Sequence, residues 1–257
     1  MATVINTNVM SMFSQTALTR SKSSMATSLE RLSTGLRINR ASDDAAGLAV
    51  SQKMELQIRG MQQAVRNVND GIAFMQAGES ALGEIQNMLQ RMNELAVQQA
   101  SATYSSSDKT KISTELTALK TEINRQVGLI KVNGVNLNTT SGIAIAVDEN
   151  GGTLTVGNLS AAVVQPTGVT VSAIATSMEA VSVARAKFGA DINTLAGTAR
   201  NLEAKIVGLS SAKSSILDAD FAMETSNLTK TQILQQAGTA MLAQANALPQ
   251  NALSLLR

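Results

Sequence analysis

Cysteine, histidine and tryptophan are absent from this 257-residue chain, and proline occurs twice, at Pro166 and Pro249. Without thiol or imidazole there is no disulfide, no thiol nucleophile, no neutral-pH proton shuttle and hardly a ligand for a transition metal. Aromatic residues make up 2% of the chain, namely Phe13, Phe74, Tyr104, Phe188 and Phe221. Rings that supply much of an ordinary core are replaced here by Ala, Leu, Ile, Val and 12 Met. A net charge of +2 with 16% charged residues gives no strong field to draw nucleic acid. The first basic residue, Arg20, follows a polar stretch, which does not match a cleavable secretory signal. No run approaches the ~18 apolar residues of a membrane span. These shortages call for no cofactor and no metal, and favour a structural or binding role. The plain reading is a cytosolic protein, while the absence of Cys also suits an exported one, and composition does not decide between them.

The strongest positive signal is periodic. Met54, Ile58, Met61, Val65, Val68, Ile72 and Met75 follow one another at steps of 4,3,4,3,4,3, and Phe188, Ile192, Leu195, Ala199, Leu202, Ile206 and Leu209 repeat the series. A sustained 3.5-residue period means coiled-coil helices that wrap a partner. Leu82, Ile85, Leu89, Met92 and Ala96 extend the first seam to a Ser-rich break at 100–107. Ile112, Leu116, Leu119, Ile123 and Ile130 resume it, with polar Gln126 in one slot. Weaker terminal seams run through Leu18, Met25, Leu29, Leu32 and Leu36, and through Leu234, Ala237, Met241 and Leu248. The seam methionines Met54, Met61, Met75, Met88 and Met92 read first as core filling; their adaptable thioethers also suit a seam that slides between two packings.

Polar residues punctuate these runs. Asp43-Asp44 before Ala45, Ser107-Asp108 before Lys109, and Ser215 with Asp218 resemble helix starts, where side-chain oxygens cap orphan amides. Gly35, near Asn39, weakens or bends the first helix. The spacing predicts helices near 5–33, 44–100, 108–129, 176–212 and 219–247. Residues 131–175 differ. Asn133-Gly134 and Asn150-Gly151-Gly152 are turn signals, while Ile143–Val147 and Thr153–Val156 alternate as strands do. Val163-Val164 with Val169–Val171 adds a further candidate strand. The predicted fold is mainly α, a long antiparallel coiled-coil helical bundle with a small β-hairpin element in mid-chain. Its domains would be 1–43 and 219–257, two halves of one helical layer, flanking a bundle at 44–218.

Ser106-x-x-Lys109 and Ser210-x-x-Lys213 match an S-x-x-K pattern of penicillin-recognising enzymes. Neither has the companion motifs, so both are coincidences of a Ser-rich chain. Paired Asp43-Asp44 serves capping better than acid–base work. An enzyme is not expected.

Longer motifs point further. Val4-Ile-Asn-Thr-Asn8, Leu29-Glu-Arg-Leu-Ser-Thr-Gly-Leu-Arg-Ile-Asn39, Asp43-Asp-Ala-Ala-Gly-Leu-Ala49 and Asn67-Val-Asn-Asp-Gly-Ile72 are similar to the N-terminal signature of bacterial flagellin. Asp218-Ala-Asp-Phe-Ala222, Leu242-Ala-Gln-Ala-Asn246 and Leu253-Ser-Leu-Leu-Arg257 resemble its C-terminal one. The resemblance covers roughly 1–140 and 177–257 and implies a short form without large outer domains. It implies a secreted, extracellular subunit that polymerises with copies of itself into the flagellar filament, its terminal helices lining a central channel. It implies type III export, an export chaperone, a filament cap and hook-junction proteins as partners, and neither nucleic acid nor membrane insertion. Assembly would then use Leu29, Leu32, Leu36, Leu242, Leu248, Leu253, Leu255, Leu256 and Arg257. Gln90–Gln98 resembles the segment that a vertebrate host Toll-like receptor binds in some flagellins. That implies contacts from Gln90, Arg91, Glu94, Leu95, Gln98 and Glu115, with Asn93 where such members often carry a basic residue. The alternatives are a hook–filament junction protein of the same organelle and a chemoreceptor-like coiled-coil module, the latter disfavoured by the β element.

Overall fold

A computed structural model describes the backbone of residues 7–132, 134–136, 141–157 and 166–254, and their side chains except those of Val132 and residues 248–254. The elements are α1 (Val9–Thr34), α2 (Ala45–Ala100), α3 (Ser106–Gly128), β1 (Lys131–Val132), β2 (Val135–Asn136), β3 (Ile143–Ala146), β4 (Thr153–Val156), α4 (Val171–Leu217) and α5 (Phe221–Ser254). They form two compact units, one from residues 1–55 with 210–257, the other from 56–209.

The second unit buries the expected seams. Met61, Val68, Met75, Leu82, Ile85, Leu89, Met92 and Ala96 of α2 are at most 3% exposed. They join Leu116, Ile123 and Val127 of α3 and Ile174, Val181, Phe188, Leu195 and Leu202 of α4 in one core. Met88 is partly buried against it. On α3 the slot between Ile123 and Ile130 is taken by Val127 rather than Gln126. The helix steps 4 then 3 there, which keeps the larger apolar side chain inside.

The β region forms two separate two-stranded antiparallel sheets, β1–β2 and β3–β4. The second pairs Ile143 with Val156 and Ala146 with Thr153. In its turn, Asp148 Oδ1 accepts the amides of Asn150 (2.8 Å) and Gly152 (2.6 Å). Ile145 lies so close over Gly71 of α2 that a Cβ there would overlap its Cδ1, so this glycine seats the hairpin. Val169–Val171 is not a strand. Thr170 instead opens α4, its carbonyl accepting the Ile174 amide at 3.0 Å. Asn133 and Val163-Val164 lie outside the described residues.

Two caps, those of α3 and α5, differ from their predicted positions. Asp44 caps α2 by accepting the Gly47 amide at 2.8 Å, but Asp43 points back, its Oδ2 taking the amides of Arg40 and Asn39. Those two bonds, Arg40 first, hold its carboxyl below the ordinary value. Helix α3 is capped by Ser105, with Asp108 returning a bond from the Ser105 hydroxyl at 2.7 Å. Helix α5 is capped by Asp220, which accepts the amides of Ala222 and Met223; Ser215 lies inside α4. Gly35 ends α1 at φ +70°, a left-handed conformation with its N–H on the Arg31 carbonyl and one that a side chain resists. Beyond it, Arg37 N–H donates to the Leu217 carbonyl, and Ala219 N–H to that of Gly35.

In the first unit α1 packs on α5. Buried and half-buried positions on α1 include Ser11, Ser14, Leu18, Ser21, Met25, Ser28 and Leu32. On α5 they include Glu224, Leu228, Thr231, Gln235, Gly238, Leu242 and Ala245. Both series keep the 3.5-residue period, yet most members are small or polar. The stripe Leu234–Ala237–Met241 and the position of Leu29, expected inside, face outward. A hydrophobic ruler selects the wrong face when the seam is built largely of serine.

One end of this pair depends on Asn8. Its Oδ1 accepts the Ser11 amide and caps α1, while its Nδ2 donates to the Ala245 carbonyl at 2.8 Å. In a helix that carbonyl would accept from the residue four positions on, but Pro249 has no N–H. Asn8→Asp keeps the cap and loses the donor, and should destabilise the α1–α5 pair by ~1–3 kcal/mol. Pro249→Ala supplies the missing N–H, so it should help more in the N8D background than in the native one. The check is a double-mutant cycle by hydrogen exchange, in the state where α1 and α5 are helical. Additive effects would mean the bond carries no weight.

Candidate functional site

Turning the serine-rich face of α1 onto α5 leaves many large apolar side chains outside. Val9, Met10, Met12, Phe13 and Leu29 on α1, and Phe221, Met223, Ile233, Leu234 and Met241 on α5, are all exposed, Phe13 by 75%. Of the predicted assembly residues, Leu29 belongs to this exposed set. Leu32 and Leu242 are half-buried in the α1–α5 seam, and half-buried Leu36 bridges Asp218. The side chains of Leu248, Leu253, Leu255, Leu256 and Arg257 lie outside the described residues. Sequence reasoning passed over Val9, Met10, Met12, Phe13, Phe221, Met223 and Ile233. Their signal was the density of apolar residues near both chain ends, not a heptad.

The far end of the α1–α5 pair holds an ion pair. Glu224, 7% exposed, accepts from Arg31 Nη1 and from the Ser28 hydroxyl, each at 2.9 Å. Burial alone would push the Glu224 carboxyl up, but the bonds from Arg31 and Ser28 and the Arg31 charge outweigh it and hold it below its ordinary value. Such a pair fixes register more than it adds stability, because any slip would bury an unpaired charge.

On the second unit the predicted receptor residues are partly brought together. Arg91 bridges Glu94 (3.1 Å) on its own helix and Glu115 (3.2 Å) on α3. Hydrogen bonds to Glu94, then Glu115, raise the guanidinium pKa further. Gln90 and Gln98 are exposed on α2, and Gln98 donates to the Tyr104 hydroxyl at 2.9 Å. Leu95 does not stand with them. It is 3% exposed and lies in the core, because α2 puts that position on its buried seam; it supports this surface from beneath. A groove of about 320 Å³ lies beside β3, lined by Asn67, Phe74, Val135 and Ile145 among others. Among the described residues no cluster suited to a metal ion forms, and no helix is long and apolar enough to cross a membrane.

The lowered Glu224 carboxyl gives a pH dependence with a definite sign. Its contribution is full above the ordinary value of 4.5 and is lost as pH falls through the lower folded-state value. Acid titration of α1 protection should therefore show a loss below pH 4.5 in the native chain. Glu224→Gln should be weaker at pH 7 by ~1–3 kcal/mol and flatter in acid. Equal acid slopes in the two proteins would remove Glu224 as the cause.

These surfaces sit on helices that other proteins share. A model of the bacterial flagellin N-terminal helical region matches residues 5–141, and one of the C-terminal helical region matches residues 171–256. The chain is 40% identical to the flagellar filament 33 kDa core protein of Treponema phagedenis, covering 99% of this chain and 100% of that protein. It is 38% identical to flagellin FlaB2 of Treponema pallidum (strain Nichols), with coverage of 99% and 100%. With the flagellin of Halalkalibacterium halodurans it shares 43% identity over 89% of this chain and 90% of that one. Matched in order at both helical ends and along nearly its whole length, the chain belongs to the bacterial flagellin family.

Proposed function

We infer that this chain is a structural subunit that self-polymerises into the filament of the bacterial flagellum and so serves swimming motility. The observation that carries the reading is the apolar outer face of α1 and α5, left uncovered within one chain and found on the helices that define the family. Side chains such as Phe13, Ile233 and Met241 gain by leaving water, and sister copies are the surface always present beside them in a filament. No observation favours the hook–filament junction reading.

Folding is coupled to that assembly. Serine and threonine in the α1–α5 seam remove little apolar surface from water, while ordering costs ~1–2 kcal/mol per residue in backbone entropy. In the solitary chain residues near 1–43 and 219–257 are therefore largely disordered, and the bundle at 44–218 is folded. An unfolded end suits type III export to the cell exterior, with an export chaperone, the filament cap and hook-junction proteins as transient partners. Leu248, Leu253, Leu255, Leu256 and Arg257 extend the apolar set at the C-terminus. The Gln90, Arg91, Glu94, Gln98 and Glu115 surface offers a host Toll-like receptor a half-exposed charge network, with Leu95 shaping it from within.

Limited proteolysis with seeded elongation tests the scheme. In the monomer the ends should be cut first and in the filament protected; ends equally resistant in both would contradict it. Ile233→Asp, at a position 60% exposed, should leave the folded bundle unchanged within ~0.5 kcal/mol and abolish elongation in electron micrographs. Leu255→Asp should do the same. Normal filaments from both variants would refute the assembly surface.

A further inference from the structure

The methionines divide by place. Met61, Met75 and Met92 are at most 1% exposed in the core of the second unit, whereas Met10, Met12, Met223 and Met241 are 54–61% exposed on α1 and α5. Among the described residues, the exposed large apolar side chains of the second unit include Leu56, Val97, Leu129, Val183 and Val207 but no methionine. In a chain without Cys or Trp, the thioether is the side chain most open to a two-electron oxidant. The residues most easily oxidised thus stand on the face that awaits a neighbour.

We propose that Met10, Met12, Met223 and Met241 form an oxidation site at which hydrogen peroxide reversibly halts self-assembly. A thioether lone pair attacks one peroxide oxygen; the S–O bond forms as the O–O bond breaks, and the departing hydroxide takes the proton from the oxygen now on sulfur and leaves as water. Sulfur loses two electrons and peroxide gains them. The product is a polar sulfoxide where an apolar chain stood. A buried sulfoxide oxygen must find a donor or remain unpaired, and the exposed apolar residues Val9, Phe13, Phe221, Ile233 and Leu234 on the same two helices offer none. None of the four lies in the α1–α5 seam, so the change spares the chain's own packing and falls on its contact with the next copy. The buried core methionines stay reduced, and reductases specific for the two sulfoxide epimers reverse the modification.

The proposal rests on the assembly reading, and the experiment separates the two. Purified full-length monomer is treated with hydrogen peroxide, quenched at intervals, mapped by peptide mass spectrometry, and then added to filament seeds. Sulfoxide should appear at Met10, Met12, Met223 and Met241 well before Met61, Met75 and Met92, helicity of the bundle should persist, and elongation should slow at least tenfold. Treatment with both reductases should restore it, and the M10L/M12L/M223L/M241L chain should elongate after the same exposure. Untreated monomer that never elongates would sink the assembly reading itself. Normal elongation with these four positions oxidised, or equal loss in the leucine variant, would overturn the oxidation site. Should the leucine variant not elongate at all, the reductase treatment of the native chain decides: no recovery refutes the proposal.

Discussion

The contact between α1 and α5 is pinned by polar atoms at fixed points along a seam that is only partly apolar, and the rest of the first unit follows from that. Asn8 on the Ala245 carbonyl, Ser21 on the Thr231 carbonyl, and Ser28 with Arg31 on Glu224 are spaced along the antiparallel pair from one end to the other. Each bond is directional, so together they admit one register. Hydrogen bonds and ion pairs of this kind return little net free energy because water competes for the same groups. The pair is accurate and weak. Many of its large apolar residues lie off the seam and remain in contact with water.

The second unit is built the other way. Its seam positions are Leu, Ile, Val and Met at nearly every step, and the fully buried Phe188 is the one ring among its largest enclosed side chains. Dispersion and hydrophobic burial hold it without polar clamps in the core. Polar contacts are placed at its surface, as with Arg185 on Glu79 and Gln86. Two helices, α2 and α4, contribute residues to both units. Within the first unit Lys213 of α4 pairs with Glu55 of α2 at 2.6 Å, each side chain about one-third exposed.

What could be read in the sequence tracks this contrast. Where seams are apolar, the 4,3 spacing located them residue by residue, and Asn-Gly turns located the hairpins. On α1 the spacing found Leu18, Met25 and Leu32 but had nothing to count at Ser11, Ser14, Ser21 and Ser28, and on α5 Leu234 and Met241 drew the reading to the opposite face. Caps moved by a few residues because Ser, Asp and Asn cluster at each helix start, and only the geometry shows which oxygen meets which amide. Asp43 and Asp44 are adjacent and alike, yet one caps forward and the other folds the preceding turn back. Leu95 was placed at the surface by resemblance alone; the buried stripe through Leu89, Met92 and Ala96 already pointed inward at that position. The Asn8 bond required knowing that Pro249 continues the helix, contrary to the usual expectation that proline stops it.

A seam of serine has a consequence for when folding occurs. If leucine filled those slots, α1 and α5 would pair in a solitary chain and, being apolar on two faces, would pair as readily with the wrong register or the wrong molecule. Serine removes that driving force while the polar clamps keep the correct register available. On the proposed scheme ordering would wait for a surface that covers Phe13, Ile233 and their neighbours, as a growing filament end would. The burial that stabilises assembly would then be the same burial that completes the fold. Weak internal pairing and strong external pairing are two aspects of one distribution of side chains around two helices.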